Sequence, residues 1–320
     1  MIKQCKLLLT VLVAAAVLFT ACSGISEELK QPVSVNGASG VAAEPVSSTK
    51  GQAEEKSVSE QAADDTADEP VSSDVSISET VLYEANGIKV TATGYESGWM
   101  GPEVKVLVEN DSTDNALITF DAVSVNGYMM PYSGFYAEVA AGKKANESLV
   151  LSASELKRSG IDTVAEIQFY LQHQDPETWD VLEETELLTL TTSAAPYEQP
   201  VDDSGDVLYD ADGIKIVCKG LKHDVIWDGT VVFYMENTSG KAVSIYAENV
   251  SVNGFMQEVG LWSDLRDNTR LIDGMSMLDL SDLEIENVDQ IENIEFSLRV
   301  VDADTWEDIT TIDTLSLSFE

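Results

Sequence analysis

The chain has 320 residues, 44% of them hydrophobic, enough for two or three domains of ordinary size with buried cores. Its 57 acidic residues stand against 18 basic ones, a formal net charge of −39. That field repels nucleic-acid phosphates and anionic lipid headgroups, so it argues against nucleic-acid binding and favours solubility and cationic partners.

In chain order, residues 1–21 read as a secretory signal. Lys3 and Lys6 form a basic start, Leu7 to Phe19 an apolar run too short to span a bilayer, and Thr20-Ala21 the small residues of a processing site. The stretch Leu18-Phe19-Thr20-Ala21-Cys22 resembles the lipobox of bacterial lipoproteins, with Phe19 where that pattern usually carries Leu. The resemblance implies that Cys22 receives a diacylglyceryl group and becomes the first mature residue. Two acyl chains make a stable anchor, so the expected location is the extracellular face of the cell membrane.

Residues 22–78 come next. From residue 23 onward they hold no aromatic residue, 11 acidic and 3 basic residues, and much Ser, Ala and Val. Such a segment buries too little apolar surface to offset its ordering entropy, and it reads as a disordered acidic tether. A flexible chain of this length reaches roughly 40 Å root-mean-square.

Beyond it, one unit is written twice. Val81-Leu-Tyr-Glu-Ala-Asn-Gly-Ile-Lys-Val90 matches Val207-Leu-Tyr-Asp-Ala-Asp-Gly-Ile-Lys-Ile216 at seven of ten positions. The offset of 126 becomes 127 after an extra residue before Gly229, and on this reading it holds to the end. Ser124-Val-Asn-Gly127 then pairs with Ser251-Val-Asn-Gly254, and Asp175, Thr178 and Trp179 pair with Asp302, Thr305 and Trp306. The expected units are 79–195 and 207–320, joined by a linker at 196–206.

Strand signals dominate both. Val104, Val106 and Val108 alternate with Glu103, Lys105 and Glu109, and Ile167, Phe169 and Leu171 alternate likewise, the period of half-buried strands. Asn86-Gly87, Asp212-Gly213, Asn126-Gly127 and Asn253-Gly254 suit tight hairpins. One short helix is predicted at 154–159 with Ser154 as N-cap, and a counterpart at 281–283. Seven or eight strands per unit predict an all-β protein of two antiparallel β-sandwiches. The run through Ala85–Val90, Ser124–Gly127, Ala141-Gly-Lys-Lys144 and Asp175–Trp179 resembles the uncharacterised immunoglobulin-like repeats of Gram-positive surface lipoproteins. That resemblance implies tandem immunoglobulin-like domains without implying any chemistry. The second unit departs at Ala141–Lys144, where it carries Asn268-Thr-Arg-Leu271.

No catalytic constellation emerges. His173 aligns with Val300 and His223 lies in a lengthened loop, so neither histidine has a repeated partner. Cys218 falls in the inward register of its strand; since Cys5 and Cys22 lie at the N-terminus, no disulfide forms within the units. Asp202, Asp203, Asp206, Asp210 and Asp212 cluster, yet no Glu follows at the spacing of a calcium loop, so no metal and no cofactor is expected. The recurring Asp-x-x-Thr-Trp reads as a turn closed by Asp and Thr, with the Trp covering one end of the core. Tyr128, Tyr132, Phe135, Tyr136 and, in the second unit, Trp262 make the candidate binding surface, because Tyr and Trp are enriched at contacts.

These readings predict a non-catalytic, monomeric surface lipoprotein, not an enzyme, that binds a protein or serves as a spacer. A glycan or cell-wall binding module and a calcium-dependent adhesion module are the alternatives.

Overall fold

The computed structural model describes residues 29–32, 34–36, 75–222, 229–277, 283, 285 and 288–319. They are nearly all β. After β1 (Ser34–Asn36), the first unit holds β2 (Thr80–Ala85), β3 (Ile88–Ser97), β4 (Pro102–Asn110), β5 (Ala116–Val125), β6 (Tyr128–Met129), β7 (Phe135–Val139), β8 (Lys143–Val150), α1 (Ala153–Arg158), β9 (Glu166–Gln174), β10 (Val181–Glu184) and β11 (Leu188–Thr191). The second holds β12 (Asp206–Ala211), β13 (Ile214–Lys222), β14 (Gly229–Asn237), β15 (Val243–Val252), β16 (Phe255–Met256), β17 (Val259–Gly260), β18 (Trp262–Leu265), β19 (Thr269–Met277), β20 (Asn293–Asp302) and β21 (Asp308–Ser318). Each unit has more and shorter strands than the expected seven or eight. A bulge between Asp121 and Ser124, repeated between Glu248 and Ser251, shifts the register within β5 and β15 at the positive-φ residues Ala122 and Asn249. No helix among the described residues is long and apolar enough to cross a membrane.

Three sheets result. One is four-stranded, in the order β2-β3-β4-β8; one runs β1-β21-β20-β15-β16, with β18 also on β15. The third joins the units, running β10-β9-β5-β6-β19-β14-β13-β12. All pairings are antiparallel except the junction, where β6 meets β19 in parallel at Tyr128 and Arg270. The predicted turns are present. Asn86-Gly87 and Asp212-Gly213 close the β2–β3 and β12–β13 hairpins with positive φ at both residues, the requirement of a type I′ turn.

The four-stranded sheet buries its alternate residues Ile88, Val90, Val104, Val106 and Val108 against Ile118, Phe120, Ile167 and Phe169 of the facing sheet. Phe120 stacks between Phe135 and Phe169, at 4.3 and 4.2 Å. In the second unit Ile214, Ile216, Val231 and Phe233 face Ile245, Phe296 and Leu298 in the same way. Unlike its counterpart, the β12-β13-β14-β19 sheet is covered on both faces. Val217, Val232, Tyr234 and Ile272 point away from their own core and join that of the first unit. Arg266 crosses as well, donating from Nε to Ala122 O (3.2 Å) and from a terminal nitrogen to Ser124 Oγ (2.5 Å). Arg158 pairs with Asp273 at 3.6 Å.

The strand pairings correct the sequence alignment. Tyr136 lies opposite Thr119, and Trp262 lies opposite Tyr246, the counterpart of Thr119. The offset therefore falls back to 126 through β7 and β8, so Trp262 corresponds to Tyr136 and not to Phe135. The same shift pairs Gly142 with Asn268, both at positive φ, and Lys144 with Arg270. Lys144 binds Glu109, and Arg270 binds Glu236 at 2.9 Å, so the loop where the copies looked different keeps its ion pair.

The helix also differs from expectation. It begins at Ala153, and its N-cap is Ser152, whose hydroxyl accepts from Glu155 N. Residues 281–282 of the expected counterpart lie outside the described residues, as do the signal segment 1–21, Cys22 and His223. The segment 22–78 read as a disordered tether is corrected at Ser34–Asn36, which form strand β1 paired with β21.

Candidate functional site

The five predicted contact residues divide by register. Tyr128 is fully buried at the junction between the units, and Phe135 is buried in the phenylalanine stack, so both are packing residues. They face inward because β6 carries Tyr128 into the junction and alternate residues of β7 face the core. Tyr132, Tyr136 and Trp262 are exposed at 72%, 49% and 59%.

The two recurrent tryptophans are exposed as well, at 58% for Trp179 and 56% for Trp306. The turn reading of Asp-x-x-Thr-Trp is right, but these rings do not cover the core. Asp175 Oδ1 accepts from the amides of Glu177 (2.8 Å) and Thr178 (2.9 Å), and Asp302 Oδ1 accepts from those of Asp304 (3.1 Å) and Thr305 (3.0 Å). The turn leaves Trp179 at φ 65° and Trp306 at φ 63°, a left-handed conformation that disfavours a bulky side chain. Gly or Asn would serve this backbone better, and the exposed indole gains little burial in return. The same strained turn thus carries an exposed Trp in both units.

Each Trp has an aromatic neighbour at the equivalent place. Tyr136 lies 6.0 Å from Trp179, and Trp262 lies 5.9 Å from Trp306, edge to face at 88°. In the second unit Tyr246 adds a third ring, 5.1 Å from Trp262. Asp264 fixes Trp262 by accepting from its indole Nε1 at 2.9 Å, and it also accepts from Ser244 Oγ at 2.5 Å. The structure thus unites residues that sequence reasoning held apart: Tyr136 with Trp179, and Trp262 with Trp306. Tyr246 was missed, because its counterpart Thr119 gives no signal.

If these tryptophans served the core, each would lose about 3–5 kcal/mol on truncation. Here Trp306→Asn is expected to change stability by no more than about 1 kcal/mol, since relief of strain offsets the lost ring contact. Urea denaturation checks this, and a loss near the core value would restore the packing role.

A second feature lies between the units. A cavity of 660 Å³ is lined by Tyr132 and Arg158 from the first unit and by Tyr246, Leu261, Trp262 and Asp273, among others, from the second. Glu155 of α1 positions Tyr132: its buried carboxylate accepts from Tyr132 N (2.9 Å) and Ser133 Oγ (2.8 Å). Burial raises the pKa of Glu155 and of Asp273, the latter held by Ser263 Oγ at 2.7 Å. The lining thus mixes aromatic rings with an ion-paired Arg158 and Asp273.

Lys241, with the two turn amides, holds the Asp302 carboxyl at a pKa of about 2. A folded-state pKa below the unfolded value means that this group's contribution is present above about pH 4 and is lost as pH falls toward 2. Asp302→Asn should therefore flatten the acid limb of the stability–pH curve between those values, and an unchanged limb would show that Asp302 does not carry it.

The remaining candidates are plain. Cys218 is fully buried, and its thiol is pushed up to about 12 by desolvation. It should resist alkylation in the folded protein and become labelled only on unfolding, as peptide mass mapping would show; rapid native labelling would contradict its burial. His173 is half-buried on β9 with an unpartnered Nδ1, and burial lowers its pKa. In the acidic cluster, Asp202 pairs with Lys219 (2.8 Å), Asp203 with Lys215 (2.6 Å), and Asp212 accepts from Tyr209 (2.9 Å). Among the described residues no three potential metal ligands converge.

No protein-family model matches this chain, and no curated protein does. Among solved structures it is similar to the YadV chaperone, at 13% identity and TM-score 0.20 over 68% of this chain and 92% of the other. It is also similar to red sea bream transglutaminase, at 9% identity and TM-score 0.17 over 74% of this chain and 31% of the other. Likeness this faint carries no argument about fold or activity.

Proposed function

We propose that this chain is an exported bacterial lipoprotein, anchored through Cys22, that presents two tandem immunoglobulin-like β-sandwich domains as a non-catalytic protein-binding module at the outer face of the cell membrane. The observation that carries the binding role is the exposed aromatic pair on a strained turn, present at equivalent places in both units. Tyr and Trp are the residues that concentrate energy at protein contacts, and they bring large contact area with little conformational freedom to lose. The side-by-side packing of the units supports bivalent use, because two sites held at fixed separation gain avidity. The extracellular location and the anchor rest on the N-terminal sequence.

A second reading is a glycan-binding module, favoured by the cavity lined by Tyr132, Tyr246 and Trp262. The calcium alternative draws no support from Asp202 and Asp203, which are neutralised by lysines. One experiment separates the first two readings. Purified protein is bound to envelope preparations, either untreated or stripped with protease. Loss of binding after protease supports a protein partner. Retention after protease, with release by soluble wall sugar, replaces that reading with the glycan one.

A further inference from the structure

The strand β1 comes from the segment before the first unit, yet it docks on the second. Ser34, Val35 and Asn36 pair antiparallel with Ser318, Leu317 and Ser316 at the edge of β21. Four residues earlier, Lys30 and Leu221 exchange both backbone hydrogen bonds at 2.7 Å, and Gln31 Nε2 donates to Lys219 O at 2.5 Å. That stretch of β13 is open because β12 pairs no further than Cys218. Leu29 and Val35 pack on the two cores, and the Lys30 ammonium lies 5.9 Å from the Phe319 ring. Residues 29–32 and 34–36 thus lie on the edges of two different sheets, covering backbone groups that would otherwise stand as open strand edges.

The second unit is shaped for this strap. Gly220 adopts φ 125°, and a Cβ there would lie 2.7 Å from Lys30 O and 2.9 Å from Gln31 Nε2. The equivalent Gly94 meets only the Lys105 side chain, at 4.0 Å.

We infer that residues 29–32 and 34–36 are an intrinsic strap of the second unit, so that only six residues separate Cys22 from the folded module. Resting on the proposed anchor at Cys22, this sets a limit. Seven Cα steps span at most about 25 Å, so the second unit stands close against the membrane rather than at the end of a long stalk.

The test uses the full lipoprotein in vesicles of phosphatidylglycerol and phosphatidylcholine. Ser34→Cys with Ser318→Cys should oxidise to a disulfide about tenfold faster than Ser34→Cys with Thr191→Cys, the position equivalent to Ser318 in the first unit, because a docked pair holds its Cβ atoms within bonding range. Adding Gly220→Ala should abolish that preference. Equal rates for the two pairs would overturn the strap. Separately, a dye on Glu292→Cys should transfer energy to acceptors on lipid headgroups more strongly than a dye on Glu147→Cys in the first unit. A fast disulfide without that transfer would leave the strap standing and overturn the anchored geometry, while Cys22→Ser protein that still binds vesicles would overturn the anchor itself.

Discussion

Asn237→Ala should destabilise the second unit by about 3 kcal/mol, and Asn110→Ala should do the same to the first. Each Asn ends the strand next to the core edge and is fully buried. Asn110 Nδ2 donates to Asp114 O (2.8 Å) and Val139 O (2.9 Å), while its Oδ1 accepts from the amide and hydroxyl of Ser112. Asn237 repeats the arrangement with Lys241 O (2.7 Å), Leu265 O (3.1 Å) and Ser239. Alanine leaves a buried carbonyl and a half-buried amide without their side-chain partner, each costing about 1–3 kcal/mol at full burial. In a domain of this size the midpoint of melting should fall by on the order of 10 °C. Solvent denaturation of the single variants measures both effects, and a loss under about 1 kcal/mol would mean that water satisfies these groups.

The second large effect concerns the junction. Wild-type protein should melt in one transition, and Tyr234→Ala combined with Arg266→Ala should split it into two. Tyr234 is fully buried outside its own unit's core, and truncating a buried aromatic costs about 3–5 kcal/mol. Arg266 carries its guanidinium under the Ala122 carbonyl and beside Tyr170, at 5.9 Å from that ring. The double substitution removes both while leaving the cores of Phe120 and Phe233 in place. Calorimetry decides the matter: two transitions already present in wild type would show that the units fold independently, and one transition surviving in the variant would put the coupling elsewhere.

The sequence carried the junction in plain form, but it needed to be read across the copies. On β4 the outward residues are Glu103, Lys105, Leu107 and Glu109; on β14 the equivalents are Thr230, Val232, Tyr234 and Glu236. Alternation in the first copy thus gives way to the near-continuous apolar run of a strand covered on both faces. Strands and Asn-Gly hairpins were legible because alternation and positive φ are local properties. The side of Phe135 and Tyr136 was not, because a one-residue offset reverses which residue faces the core, and only the pairing of β7 with β5 fixes that register. The Asp-x-x-Thr-Trp turn was legible from its capping side chains, whereas the direction of the indole depends on the positive φ that those caps impose. Ser152 and Ser154 are both suitable helix caps by residue type, and only the backbone conformation selects Ser152. The strap left only Leu29, Val33 and Val35 in a polar stretch, too little apolar periodicity to signal a strand whose partner lies almost three hundred residues away.

The most direct test of the binding role is a cross-linking pull-down from intact cells with the native lipoprotein tagged near its C-terminus, comparing wild type with Trp179→Asn, Trp306→Asn and the double variant. Wild type should enrich one partner, each single variant should retain part of it, and the double variant should lose it while melting as wild type does. Equal capture by wild type and the double variant would contradict the account, because the strained, exposed tryptophans would then have no part in recognition.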